Sequence, residues 1–299
     1  MLDRAYGALI GGAIGDAMGM PASFMTRAQI EKAYGYINDF LEPEKDVQSY
    51  HGNLQAAEIT DDTMESVIIC NVLLENGEFS EDSFNKAMKK WAIEQKMLES
   101  TVIGPSTRRY LTALIEGRDP KETSGAGNTN GSAMRVAPIG VKYHYDMAKC
   151  LEAAAASSLP SHGSRPAVAA ACAVAAAVSA GVHGGYSVNE VLNAAYEGAL
   201  YGEARGCTVD NQMKCVWCVL NRVDDPRFPD TIIGAVSAPG QFYGYSPSFP
   251  VWDKLYAVAL DVLTRWSMEK QGADVARELP DTYCWFTGDG ETNHFREGY

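Results

Sequence analysis

Sixteen consecutive residues beginning at Ala167, AVAAACAVAAAVSAGV, are apolar or small on every side. A helix with no polar face has to be enclosed by other elements. The run is short of the roughly 20 residues that span a bilayer, so it reads as the buried helix of a bundle, with Pro166 just ahead of it. Spacing predicts further helices over 62–76, 80–99, 104–116, 146–158 and 187–200, with the alanine helix itself over 164–180. In the first of these, Met64, Val67, Ile68, Val72 and Leu73 repeat at helical intervals. Asp61 and Asp62 lie at its positive end, and Gly77 supplies a stop. Ser80 is an N-cap for the next. With few alternating β-branched runs between them, the first 200 residues read as all-α.

The chain has 299 residues, 46% hydrophobic and 21% charged, enough for one large domain or two of ordinary size and unlike disorder or fibre. Its 25 basic against 38 acidic residues give a net charge of −13, the wrong sign for capturing nucleic acid or an anionic membrane. Neither part hides a basic module, since residues 1–196 hold 16 basic and 23 acidic side chains and residues 197–299 hold 9 and 15. Seven cysteines are too sparse for a disulfide scaffold, so a reducing compartment is the default. The N-terminal apolar run is broken by glycines and ends at Asp16, so no signal peptide is read and a cytoplasmic location is expected. Residues 148–200 hold 17 alanines and residues 201–299 hold 7, while four of the five tryptophans lie beyond 200. Five prolines fall between Asp224 and Pro250. These shifts predict two units, 1–196 and 197–299.

Three loops in the first unit carry residues that packing alone would not select. The first, Gly11 to Pro21, has small residues at three- and four-residue spacing that let helices approach closely, and it contains Asp16. In the second, Thr60, Asp61 and Asp62 can aim a hydroxyl and two carboxylates at one hard cation; an N-cap followed by an acidic first turn has the same pattern. The third, Gly125 to Arg135, frees backbone N–H groups to face an anion, or simply makes a turn. His162, in Ser161-His162-Gly163, is either a loop or capping histidine or part of a site.

Together GALIGGAIGDAMGMP, ITDDTM, GNTNGSAMRVAPIG, SLPSH and EVLNAAYEGALYGE resemble the ADP-ribosylglycohydrolase family over about residues 4–200. The resemblance implies an all-α fold around a pair of Mg²⁺ or Mn²⁺ ions and hydrolysis at ribose C1 of ADP-ribose attached to a protein or small molecule. It makes Thr60, Asp61 and Asp62 metal ligands. It gives Gly127, Asn128, Gly131, Ser132, Met134 and Arg135 to phosphate and ribose, and His162 to the nucleotide pocket. Two departures stand out: Ser23 occupies a position where the family commonly has a Glu. The family's second acidic cluster, Asp-x-Asp-Thr or Ser, is represented only by Asp230-Thr231, which makes the bundle incomplete. Binding of ADP-ribose without turnover is therefore a further alternative.

Beyond Gly198 the blocks YGEARG, VWCVLNRV, FPDTI, PGQF, WFTGDG and NHF resemble cell-wall hydrolases related to spore-cortex-lytic enzymes. That resemblance implies a small lysozyme-like α+β domain after the mainly α first unit, needing no cofactor and cleaving peptidoglycan glycan strands as a lytic transglycosylase. Glu203, at the end of an apolar segment beside Arg205, would be its acid, since a carboxyl partly removed from water keeps its proton. Asn221 and Gln241 would bind sugar, with Arg222 and Asn293 as further polar candidates and Tyr243, Tyr245 and Trp252 as stacking faces or packing. Cys215 and Cys218 read as buried helix cysteines. Peptidoglycan cleavage is thus the leading expectation, with wall contact after lysis or release, and Mg²⁺-dependent removal of ADP-ribose the alternative. Neither nucleic acid nor a membrane span is expected.

Overall fold

In the computed structural model, residues 1–48, 50–205, 209–238, 253–288 and 293–298 are described. They divide into two compact units, Met1–Gly202 and Glu203–Tyr299. The protein is mainly helical. The first unit holds α1 (Leu2–Gly19), α2 (Arg27–Ala33), α3 (Asp61–Asn76), α4 (Glu81–Glu94), α5 (Pro105–Glu116) and α6 (Lys121–Ser124). It continues through α7 (Ala137–Lys142), α8 (Met147–Ser158), α9 (Arg165–His183) and most of α10 (Val188–Arg205), with short 3₁₀ turns at Met20–Ala22 and Ala133–Arg135.

The alanine helix is α9, and it packs against α7 and α8. It is long and apolar enough to cross a membrane by length and composition, but Val168, Ala171, Cys172, Ala175 and Ala176 are enclosed in the core beside Leu151, Ala154 and Ile139. Small side chains let the helices approach, which suits alanine on both sides of a contact. The rest of the core is Ile69, Val72, Phe84, Met88, Tyr110 and Leu111 from α3, α4 and α5. Helix ends follow their local chemistry. Thr60 caps α3 and Gly77 closes it in the left-handed region, at φ 75°. α4 stops at Glu94, earlier than its spacing predicts, because Lys96 turns left-handed at φ 52°. α9 runs through Gly181 to His183 and ends at Gly184, φ 81°.

The glycines of α1 do not mediate close packing as their spacing suggests. Among the described residues no atom lies within 4 Å of a Cβ placed at Gly7, Gly11, Gly12, Gly15 or Gly19.

The second unit holds α11 (Val209–Asp224), α12 (Ile232–Ser237), α13 (Asp253–Lys270) and an antiparallel hairpin, β1 (Trp285–Gly288) with β2 (Asn293–Arg296), in which Phe286 pairs with Phe295. Trp217, Cys218, Leu220, Val262 and Leu279 form its core. Trp217 Nε1 donates to Glu278 Oε2 at 2.7 Å. Burial pushes the Cys218 thiol up to about 12, so it stays a thiol, an inert packing group.

Candidate functional site

One cavity of about 890 Å³ gathers residues from distant parts of the first unit. That volume is in the range of small-molecule sites. Its walls come from the end of α1, the turn before α3, the start of α5, the loop 126–134 and His162.

Asp16 sets the carboxylate wall. Its Oδ2 accepts from Thr60 N at 2.9 Å, Thr63 N at 3.2 Å and Thr63 Oγ1 at 2.6 Å, while Oδ1 accepts from Thr60 Oγ1 at 2.8 Å. One carboxylate thus binds α1 to the first turn of α3, satisfying donors that a helix start leaves free. Thr60 Oγ1 in turn accepts from Asp62 N at 3.3 Å. The capping pattern is therefore realised, and the same turn still lines the cavity with Asp61 and Asp62. Burial first, then the neighbouring carboxylates Glu65 and Asp62, push Asp61 up to about 8. Asp62 is raised by burial and by Asp16, with His51 near enough to pull the other way.

The opposite wall is a donor wall. The start of α5 has no side-chain cap, and Gly104, Pro105, Ser106 and Thr107 line the cavity. Arg109 holds this start to the loop, its Nη2 donating to Ser106 Oγ at 3.0 Å and to Ala126 O at 3.1 Å. Asn128, Gly131 and Met134 line the cavity as the sequence suggested, as does His162. A Cβ on Gly131 would lie 2.6 Å from His162 Nε2, so only glycine allows the loop to close on that ring. Burial, Arg135 and Arg109 together drop His162 to about 3, so the ring is neutral. Ser161 Oγ already accepts from Arg135 Nη2 at 2.8 Å, so its own O–H is free to donate to His162 Nδ1 at 2.9 Å. Nε2 then carries the ring hydrogen and is a donor.

Three residues assigned to ligand contact stand behind the wall instead. Arg135 is completely buried, with Nη1 on Glu65 Oε2 at 2.5 Å, Nη2 on Ser157 O at 2.5 Å, and its guanidinium 5.0 Å from the Phe84 ring centre. Ser132 is equally buried and shares a 2.6 Å bond with Ser158. Gly127 packs against Ser161 O, where a Cβ would collide, and its carbonyl accepts from Ser164 Oγ at 2.9 Å. These groups hold the loop from behind, with most of their donors and acceptors spent within the protein; Arg135 Nε is buried without a partner. Arg109 and His51 were not singled out by sequence, and no local pattern marks them, whereas Asp16 was marked by its glycine-rich segment.

In the second unit Asn221 is also structural. Its Nδ2 donates to Pro280 O at 2.8 Å and Tyr283 O at 2.9 Å, and its Oδ1 accepts from Arg277 Nη1 at 2.7 Å, leaving no amide edge for a sugar. Arg222 Nε donates to Cys284 O at 2.6 Å. Gln241, Tyr243, Tyr245 and Trp252 lie outside the described residues, as does the side chain of Glu203.

Thr60, Asp61 and Asp62 offer only hard oxygens, the donor chemistry that suits Mg²⁺ or Mn²⁺. Among the described residues no group of three or more His, Cys, Asp and Glu side chains converges to hold an ion.

One cavity thus has a carboxylate turn at one end and neutral or cationic donors at the other. The chain belongs to the ADP-ribosylglycohydrolase family, whose model matches residues 1–282. It is 35% identical to the uncharacterized protein YegU of Escherichia coli, over 56% of this chain and 51% of that one. It is 28% identical to the ADP-ribosylarginine hydrolase Tri1 of Pseudomonas putida, over 56% and 43%. The chain spans about half the length of the curated relatives it matches. A solved chain described as an ADP-ribosylglycohydrolase-related protein complex superposes with a TM-score of 0.51 at 26% identity, covering 66% of this chain and 62% of that one.

These findings overturn peptidoglycan cleavage with Glu203 as the main activity. The glycohydrolase family extends over nearly the whole chain. Similarity to a spore cortex-lytic enzyme of Oceanobacillus iheyensis covers only 27% of this chain and 30% of that protein, at 34% identity.

Proposed function

We propose that the first unit binds the ADP-ribosyl part of a modified protein or small molecule and hydrolyses the bond at ribose C1. One observation carries this reading: Asp61 and Asp62, the loop 126–134 and His162, up to 101 residues apart in sequence, line a single cavity. The diphosphate would sit at the donor end, facing His162 Nε2–H, Arg109 and the uncapped first turn of α5, where backbone N–H groups favour negative charge. That places C1 toward the carboxylates. Thr60, Asp61 and Asp62 would hold a divalent ion on their side of the cavity, supplying Lewis-acid activation of the attacking water. The water oxygen bonds to C1, the bond to the leaving group breaks, and a proton passes to that group.

The test is release of ADP-ribose from an ADP-ribosylated substrate in Mg²⁺, followed by chromatography. Release is expected to stop with EDTA and with Asp61→Asn; release that survives both would contradict the reading. Because no three-ligand metal group is formed among the described residues, and Ser23 stands where the family commonly has a Glu, a second reading is retention of ADP-ribose without turnover. Calorimetric binding with no product in Mg²⁺ would select it.

A further inference from the structure

A second pocket, of about 760 Å³, adjoins the cavity and shares Pro105 and Arg109 with it. Helix α5 builds one side. Its residues Ser106, Thr107, Tyr110, Leu111 and Ala113 are buried, which leaves Pro105, Arg108, Arg109 and Thr112, spaced by three and four, as the stripe that lines the pocket. Both arginines are anchored by neutral acceptors. Arg108 Nη1 donates to Leu98 O and its Nη2 to Ser100 O at 2.8 Å, while Arg109 gives only Nη2, to Ser106 Oγ and Ala126 O. A guanidinium carries five N–H donors, so each arginine keeps donors unspent. Carbonyls and a hydroxyl do not cancel charge, and among the described residues neither arginine meets a carboxylate.

A third arginine on the pocket wall, Arg118, is exposed and already paired with Glu116 at 2.6 Å. Among the described residues no Asp or Glu lines the pocket, in a chain whose net charge is −13. A concave site of reversed sign concentrates anions. The remaining wall is apolar, from Ile103, Pro105 and Tyr50. The Tyr50 ring is 40% exposed and rests on Phe24, centroids 4.4 Å apart, where the Phe24 backbone is left-handed at φ 62°. Guanidinium forks match phosphate oxygens, an aromatic shelf suits a planar body, and the volume is that of a small-molecule site.

We infer that this pocket is a second anion site, taking a phosphate monoester on a planar body, such as a mononucleotide, and that its occupancy opposes anion binding in the larger cavity through the shared Arg109. One cation cannot serve two anions fully, and like charges on either side of it repel. The site is independent of the proposed function, whereas the opposition rests on ADP-ribose occupying the larger cavity.

The experiment is calorimetric titration of the full chain with uridine monophosphate and with inorganic phosphate in EDTA, which removes any metal that could hold a phosphate at the acidic turn. The nucleotide titration is then repeated in Mg²⁺ with and without saturating ADP-ribose. One nucleotide is expected to bind in EDTA, more tightly than inorganic phosphate. Arg108→Gln should weaken it about tenfold or more, as for loss of a charge-assisted hydrogen bond. Thr101→Trp, at an exposed position on the pocket wall, should do the same by filling the space, and His162→Ala should leave it unaltered. Saturating ADP-ribose should weaken the nucleotide about fivefold without excluding it, and the nucleotide should weaken ADP-ribose by the same factor. No binding in EDTA, binding indifferent to both Arg108→Gln and Thr101→Trp, or complete displacement by ADP-ribose would overturn the second site. Equal affinity for inorganic phosphate would overturn the planar body, and unchanged affinity under ADP-ribose would overturn the opposition. If the nucleotide binds and depends on Arg108 while ADP-ribose fails to bind, the functional reading falls and this site stands.

Discussion

The two units bury polar side chains in different ways. In the first, Arg135 and Glu65 meet at 2.5 Å with both side chains wholly out of water, and the pair lies behind the wall of a cavity. In the second, the polar groups staple loops to a helix. Arg277 lies 4.2 Å from the Trp217 ring centre and bonds Asn221 and Glu269, while Arg265 bridges Asp261 and Glu278 from a partly exposed position. A wholly buried ion pair is a poor source of net stability, since desolvation offsets attraction. What Arg135 supplies is position. It reaches Glu65 on α3, Ser157 on α8 and Ser161 beside His162, so one guanidinium ties the loop 126–134 to the elements on either side of the cavity. Burial of polar groups around a cavity thus separates a site from a scaffold, where the same residue types fasten the chain to itself.

The largest effect should come from breaking the buried pair. Arg135→Leu leaves Glu65 buried and unpaired, and chemical denaturation is expected to show a loss of about 3–5 kcal/mol. The double change Arg135→Leu with Glu65→Leu should recover much of it, because both charges then disappear together. Equal losses for single and double variants would show that the pair has no special standing. In the second unit, Asn221→Ala strands two carbonyls and one guanidinium edge. About 1–3 kcal/mol is expected there, with no change in ADP-ribose binding.

A pH series probes the acidic turn. The Asp61 carboxyl is raised from 3.8 to about 8 in the fold, so the folded chain holds a proton that the unfolded chain releases. Its stabilising contribution is complete below pH 3.8 and is lost as pH rises toward 8. In EDTA the free energy of unfolding should therefore decline between pH 5 and 8, by at most about 1.4 kcal/mol per pH unit from this group. Asp61→Asn should flatten that decline, and so should Mg²⁺ if the turn binds it. An unchanged slope in the variant would remove Asp61 as the cause. The smallest effect is expected at Phe24, where glycine relieves the left-handed backbone, with a gain of at most about 1 kcal/mol after its own entropy cost.

Much of the fold was legible because its signals are local. The all-round apolar run produced α9, and Thr60 with the following acids marked the start of α3. The extra turn of α9 past Gly181 was not legible, since a glycine in a helix enclosed by neighbours is tolerated when packing outweighs propensity. The site was legible in part. Asp61, Asp62, Asn128, Gly131 and His162 sit in motifs whose spacing carries chemistry, and they do line the cavity. Arg135 sits in the same motif, yet its role depends on Glu65, 70 positions away in sequence, which no pattern within the loop records. Phe24, His51 and Arg109 are ordinary residues in sequence, and only the tertiary fold brings them to one cavity. In the second unit Asn221 read as a sugar ligand because its neighbours resemble a wall-hydrolase block, but the structure commits each edge of its amide to the chain.

The most direct measurement is a calorimetric titration of ADP-ribose into the full chain and two variants, His162→Ala in the cavity and Asn221→Ala outside it. The expected result is binding by the native chain, weakened about tenfold or more by His162→Ala, as for loss of a buried hydrogen bond to a charged group, and unaltered by Asn221→Ala. Absence of binding by the native chain, or binding indifferent to His162, would contradict the placement of ADP-ribose in this cavity.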